Sequence, residues 1–374
     1  MSTAYTSINF NRESQVKKIT LAALVFGAFG ATAHAQSSVT IYGMVDAGIV
    51  SEHGGKAGAV EKITSGVGGQ SRLGFKGVED LGNGLSTIFV LESGFKIDDG
   101  TQDTSGSLFN RQALVGLSSK ELGAVTLGRQ NTPWYNTLTS VADPFGANYA
   151  GSAKNLLPAG GSNTRTSNTL QYSTPVVSGF SGDAAYSAGE QAGDNKAGRQ
   201  WGADAQFKQG PLTVRAAYSV RNSDVAATGV GHGNGKNTLI AANYDFQVVK
   251  AFLAYGADKG FNSAPLPTTA AFAPAATAAV GSTDSRDLLV GATAPIGVNG
   301  TLLASYIKKD DRMTLNQDAD QYAIGYSYAL SKRTSAYVMY AHIRNKNGAG
   351  YTVGNNNETG SGNTAYNIGL HHVF

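Results

Sequence analysis

The 374-residue chain holds 29 Lys and Arg against 26 Asp and Glu, 48 glycines, no cysteine and only 15% charged residues. So even a balance leaves no basic footprint for nucleic acid, and a chain without thiols has neither a disulfide framework nor a thiolate metal site. Past the N-terminus no run of about 18 apolar residues occurs, which excludes a membrane-spanning helix but not a closed β-barrel, whose strands are apolar on one face only.

In chain order, Lys17 and Lys18 precede the apolar run Ile19–Gly30 and the small-residue stretch Ala31–Ala35. Charge, apolar run, then alanines at −3 and −1 are the three parts of a secretory signal. Ala33 and Ala35 set the cleavage, and Gln36 opens the mature chain. Residues 1–15 are polar and unnecessary for export, and Val16 directly before the lysines points to a start codon there. Without residues 1–35, which carry three basic side chains and one acidic, 26 basic and 25 acidic remain.

Period-two alternation then places strands at Ser38–Val50, Gln70–Val78, Leu85–Ile97, Asn110–Ser118 and Ala124–Gln130. A stretch without alternation runs from Asn131 to about Thr164. Strands resume at about 165–174, 179–189, 199–208, 212–221, 237–246, 248–258, 285–294, 301–310, 320–329, 333–344 and 363–374. The total is sixteen, the even number that a closed antiparallel bacterial barrel requires. Short connections such as Asp80–Gly84, Lys120–Gly123 and Leu330–Lys332 alternate with long ones at 51–69, 98–109, 131–164, 222–236, 259–284 and 345–362. Turns at one rim and loops at the other fit a barrel; a β-sandwich needs no such alternation. The last strand places Tyr366, Ile368, Leu370 and Phe374 on one face and ends on an aromatic residue, so it calls for a paired neighbour and apolar surroundings. A barrel of sixteen strands is too wide for side chains to fill and holds water.

Several segments together resemble the Gram-negative general porins, betaproteobacterial type. They are Ile41-Tyr-Gly-Met-Val-Asp46, Ser71-Arg-Leu-Gly-Phe-Lys-Gly77, Asn110-Arg-Gln-Ala-Leu-Val-Gly-Leu117, Leu127-Gly-Arg129, Arg165 with Tyr172, and Phe374. The resemblance covers residues 36–374 as a single barrel. It implies a 16-stranded antiparallel transmembrane β-barrel whose third long loop, about 131–164, folds inward. It also implies a homotrimer set in outer-membrane lipid and lipopolysaccharide, passing small hydrophilic solutes and inorganic ions without a cofactor.

A pore needs a constriction of given radius and charge. By resemblance, Arg72, Arg111 and Arg165 form its basic wall, with Lys76 and Arg129 as further candidates. Arg72 and Lys76 share the polar face of their strand; Arg111 shares parity with Ala113, Val115 and Leu117, so its place rests on the resemblance. Asp143 stands for the acidic side, although it precedes Pro144 where the family's acid follows the proline. Asp46 and Met44 share one face of the first strand. Several bases against one acid imply weak to moderate anion selectivity.

Other signals carry less. Gly229–Gly235 resembles a dinucleotide loop but lies between two strands, without the helix that would cradle a phosphate. Asp98–Asp103 lacks the downstream acid of a full calcium loop. His371 and His372 point to opposite faces, and Ala264–Val280 reads as an extended external loop. The rival readings are a substrate-selective porin, which calls for an aromatic ladder along the lumen, a structural or adhesive barrel with a plugged lumen, and a barrel enzyme with a grouped Ser, His and acid.

Overall fold

The computed structural model describes residues 38–374 apart from 57, 230, 232, 262 and 264–283. The expected signal segment with Ala35 and Gln36, and the stretch 264–280, lie outside the described residues. Seventeen strand segments follow among the described residues. They are β1 (Ser38–Gly55), β2 (Gly58–Ser65), β3 (Arg72–Gly82), β4 (Leu85–Gly94), β5 (Gln112–Ser119), β6 (Gly123–Asn131), β7 (Arg165–Ser173), β8 (Phe180–Ser187) and β9 (Gln200–Gln209). The rest are β10 (Leu212–Asn222), β11 (Asn234–Asp245), β12 (Lys250–Lys259), β13 (Asp284–Ile296), β14 (Gly300–Asp311), β15 (Ala319–Ala329), β16 (Thr334–Asn345) and β17 (Thr364–Val373). β3 pairs with the first half of β1 and β2 with the second, so the two share one position and the closed barrel has sixteen strands.

Closure is made by β1 and β17, in register from Met44 opposite Val373 to His53 opposite Thr364. The seam ends where Gly43 and Phe374 exchange both backbone hydrogen bonds at 3.1 Å. The Phe374 ring occupies the space that a side chain at Gly43 would need, which accounts for glycine there. Removing Phe374 takes away both bonds, each worth about 0.5–1.5 kcal/mol net. A chain ending at Val373 should therefore lose its compact gel mobility at a lower temperature than the full chain; an unchanged transition would show that the seam does not depend on its last residue.

One barrel face carries a belt of exposed apolar side chains, among them Ile41, Ile49, Val115, Leu127, Ile324 and Ile368. Tyrosines edge it: Tyr340 lies 4.9 Å from Tyr366 and Tyr306 5.1 Å from Tyr322, ring to ring. An all-round apolar face with aromatic margins suits lipid and not water. The other face buries polar groups, including Asp46, Glu52, Glu92, Gln321 and Asn367.

Turns at one rim are tight. Asn83 and Gly84 between β3 and β4 have φ of 53° and 74°, the left-handed pair that a two-residue hairpin needs. At the other rim, the expected loop 51–69 is corrected: β1 runs on to Gly55 and β2 returns from Gly58. Ser51 faces Glu61, and Glu52 pairs with Lys62 at 2.7 Å. β2 mixes Val60 and Ile63 with Glu61, Lys62 and Thr64 on its two faces, so period-two alternation leaves no trace of it.

The connection between β6 and β7 is the best-packed loop. Thr132 caps the short helix α1 (Pro133–Thr137), its hydroxyl accepting from Tyr135 N at 3.1 Å, with proline at the first helical position. Such a proline gives up only a donor that the helix would leave unpaired. Trp134, Leu138, Val141, Phe145 and Leu156 are buried. The segment packs against the polar face of the barrel: Asn243 of β11 donates to Val141 O (3.0 Å), Asn367 of β17 accepts from Ala150 N (2.7 Å), and Gln321 of β15 accepts from Asn155 (2.8 Å).

Candidate functional site

Arg72 opens β3 opposite Met44 of β1 and Gly94 of β4. The register sets it on the face of Gly74, Lys76 and Glu92. Glycine at 74 leaves room for the Tyr42 ring, whose hydroxyl donates to Glu92 Oε2 at 3.0 Å. Lys76 is exposed on the same face, its ammonium 5.3 Å from the centre of the Tyr42 ring.

Arg111 stands one residue before β5. Its backbone N–H donates to Glu92 O at 3.2 Å, its Nε donates to Glu92 Oε1 at 2.6 Å, and its Nη1 contacts Gln70 Oε1. Arg72 Nε lies 3.5 Å from the other oxygen of Glu92. One carboxylate thus serves two guanidiniums. Arg165, at the start of β7 opposite Asn131, lies 5.9 Å from the centre of the Tyr135 ring. Its Nε has no hydrogen-bond partner among the described residues.

Arg129 is placed differently. It lies opposite Ala113 and has the parity of Leu127 and Val125, which are exposed on the apolar face. Its guanidinium donates to Asn110 O at 2.6 Å and Ser167 Oγ at 3.0 Å, bracing the ends of β5 and β7.

The two expected acids are structural in position. Asp143 is buried and accepts three backbone N–H bonds at 2.9 Å, from Phe145, Ala147 and Ala153. Burial pushes its carboxyl up to about 6 in spite of those donors. It pins two turns of the segment together and does not face the arginines. Asp46 is buried at the seam, accepting from Gly68 N (2.9 Å) and Tyr337 OH (3.1 Å), with His371 Nδ1 at 3.2 Å. His372 meets Thr334 on the other face. Tyr366 is exposed on the apolar face.

Two charged members were absent from the expected set. Glu92 is the only charge within β4, and a lone charge on a half-apolar membrane strand belongs on the wet side; that signal was available. Lys154 gave none, because it lies in a stretch without periodicity. Its ammonium donates to Asn356 O (2.6 Å) and Asn356 Oδ1 (3.0 Å). Burial lowers Lys154 to about 8, with Arg165 and Arg111 acting in the same direction. Among the described residues, no cluster of three or more His, Asp or Glu is placed to hold a metal ion.

The sequence model of the Gram-negative porins matches residues 20–348. An outer membrane porin protein of Bordetella pertussis is 31% identical, over 88% of this chain and 95% of the relative. Outer membrane porin protein 32 of Delftia acidovorans is also 31% identical, over 96% and 100%. Among solved structures, an anion-selective porin from Comamonas acidovorans superposes with a TM-score of 0.71 at 27% identity, over 91% of this chain and all of that one. OmpT of Vibrio cholerae, solved in a trimer form, shares the fold at a TM-score of 0.64 and 15% identity. A closed barrel with a lipid-facing exterior and a polar interior is the architecture of a channel, and this chain belongs to the Gram-negative porins as a passive diffusion pore of the outer membrane.

Proposed function

We propose that Arg72, Arg111 and Arg165 line the narrowest part of this pore, that the segment 132–163 lies across the lumen beside them, and that the passage weakly favours small anions. One observation carries the reading: Arg72 and Arg111 share a single carboxylate, Glu92, and Arg165 lies within electrostatic range of both Arg111 and Glu92. Arg165 forms no ion pair among the described residues, which leaves a cation to meet the solute. Lys76 adds a further exposed positive charge on the same wall. Ions and small hydrophilic solutes pass without chemical change, and the protein works as a homotrimer surrounded by lipid and lipopolysaccharide. Residues 1–35 direct export and are then removed, leaving Gln36 as the new N-terminus.

Planar-bilayer recording of the refolded protein in a KCl gradient tests this. Conductance steps in groups of three and a reversal potential displaced towards chloride are expected. A clear potassium preference would overturn the assignment of the cationic wall.

A further inference from the structure

The last long connection, 346–363, turns back onto the barrel. Tyr351, Val353 and Asn355 within it are buried. Two clamps hold it to the β1–β2 hairpin. Glu358 meets Lys62 at 2.6 Å and Thr64 at 2.9 Å, and Ser361 donates to Glu52 through its backbone N–H at 2.8 Å and its hydroxyl at 2.5 Å. Just ahead of the clamps, the turn around 354–357 joins the segment of the third long loop: Gly354 N donates to Asn155 Oδ1 at 3.0 Å, and the Lys154 ammonium donates to both oxygens of Asn356.

The chemistry of that seat is unusual for a structural lysine. Both acceptors are neutral, and Lys154 makes no ion pair among the described residues. The charges that act on it are Arg165 of β7 and Arg111 ahead of β5, both repulsive, then Asp143 of its own segment and Asp103 of the β4–β5 connection. Asp143 is spent on backbone N–H groups, and Asp103 accepts from Asn110 at 2.9 Å. A cation held beside two guanidiniums without a carboxylate of its own destabilises the free protein locally, and its field adds to theirs.

We propose that Lys154 is a specificity-determining residue of the channel: a fourth cation, seated by Asn356 of the last loop, whose charge adds to the arginine wall. This rests on the anion-favouring reading of that wall. Lys154 loses its proton as pH rises through about 8, whereas a guanidinium stays charged throughout.

The experiment is the reversal potential of the refolded protein in a KCl gradient at pH 7 and pH 9.5, for the wild type, Lys154→Arg and Lys154→Met. The wild type should lose about two- to fivefold of its chloride-over-potassium ratio between the two pH values, one unit charge acting with opposite sign on the two ions across a water-filled gap. Lys154→Arg should keep the pH 7 ratio at both. Lys154→Met should give the lower ratio at both. A wild type that prefers chloride equally at the two pH values, or a Lys154→Met variant that titrates as the wild type does, overturns the role of Lys154 alone. A wild type without chloride preference at pH 7 overturns the cationic wall itself.

Discussion

Replacing Asp143 with alanine should widen the pore while leaving the barrel closed. The carboxylate accepts three backbone N–H bonds at 2.9 Å, and each bond to a charged acceptor is worth about 1.5–3 kcal/mol. Alanine leaves three buried donors without a partner in a segment otherwise tied to the barrel by side chains such as Asn243, Gln321 and Asn367 and to the last loop through Asn155 and Lys154. The local loss should be on the order of 3–5 kcal/mol, less than the sum because water reaches a loosened loop. The strand ladder does not pass through Asp143, so gel mobility should still report a folded barrel. Single-channel conductance should rise and scatter between openings, and Asp143→Asn, which keeps a side-chain acceptor, should fall between. Unchanged conductance in the alanine variant would mean that the segment does not set the bore. The carboxyl is raised from the ordinary 3.8 to about 6, so the folded segment holds an extra proton between those values. Its contribution to stability is fully present at the acid end, declines as pH rises through that window, and is constant above. Asp143 therefore cannot supply a change in selectivity between pH 7 and 9.5.

What the sequence made legible was the barrel and one part of its wall. Alternation located every strand that crosses lipid, because each must be apolar on one side, and it put Arg72 and Lys76 on the wet face. It missed β2, where Glu61, Lys62 and Thr64 stand among Val60 and Ile63 without strict alternation. Arg111 shows a different limit. Its parity matches Val115 and Leu117, both exposed on the apolar face, yet β5 begins only at Gln112, so the side chain is free to turn towards Glu92. Periodicity says nothing about a residue one step outside its strand. Asp143 came from a motif, and the departure noted there matters: with the acid ahead of Pro144, its oxygens reach the N–H groups of the following turn and not the open channel. Lys154 depends on a contact 202 positions away in sequence, which no local pattern encodes.

The second large effect is expected at Arg111. Its side chain is 11% exposed and that of Glu92 is 5% exposed, so the pair sits at the wall with little water between. Arg72, Arg111 and Arg165 against Glu92 leave a local surplus of two positive charges, and Lys154 adds a third below its titration. Arg111→Gln removes one unit and Arg111→Glu two. Each unit should lower the chloride-over-potassium ratio by about two- to fivefold, from roughly 0.2–0.5 kcal/mol acting with opposite sign on each ion at about 8 Å in screened water. The glutamate variant should then lose about the square of the glutamine factor. Glu92 retains Arg72 at 3.5 Å and the Tyr42 hydroxyl, so the wall keeps its shape in the neutral variant. A steric cause would make the two substitutions alike, since both shorten the side chain similarly, and would persist in concentrated salt. An electrostatic cause separates them at 0.1 M KCl and lets them converge near 1 M, where the screening length has fallen from about 10 Å to about 3 Å. Reversal potentials measured at both salt concentrations decide between the two, and equal effects of glutamine and glutamate at low salt would remove Arg111 from the charge of the pore.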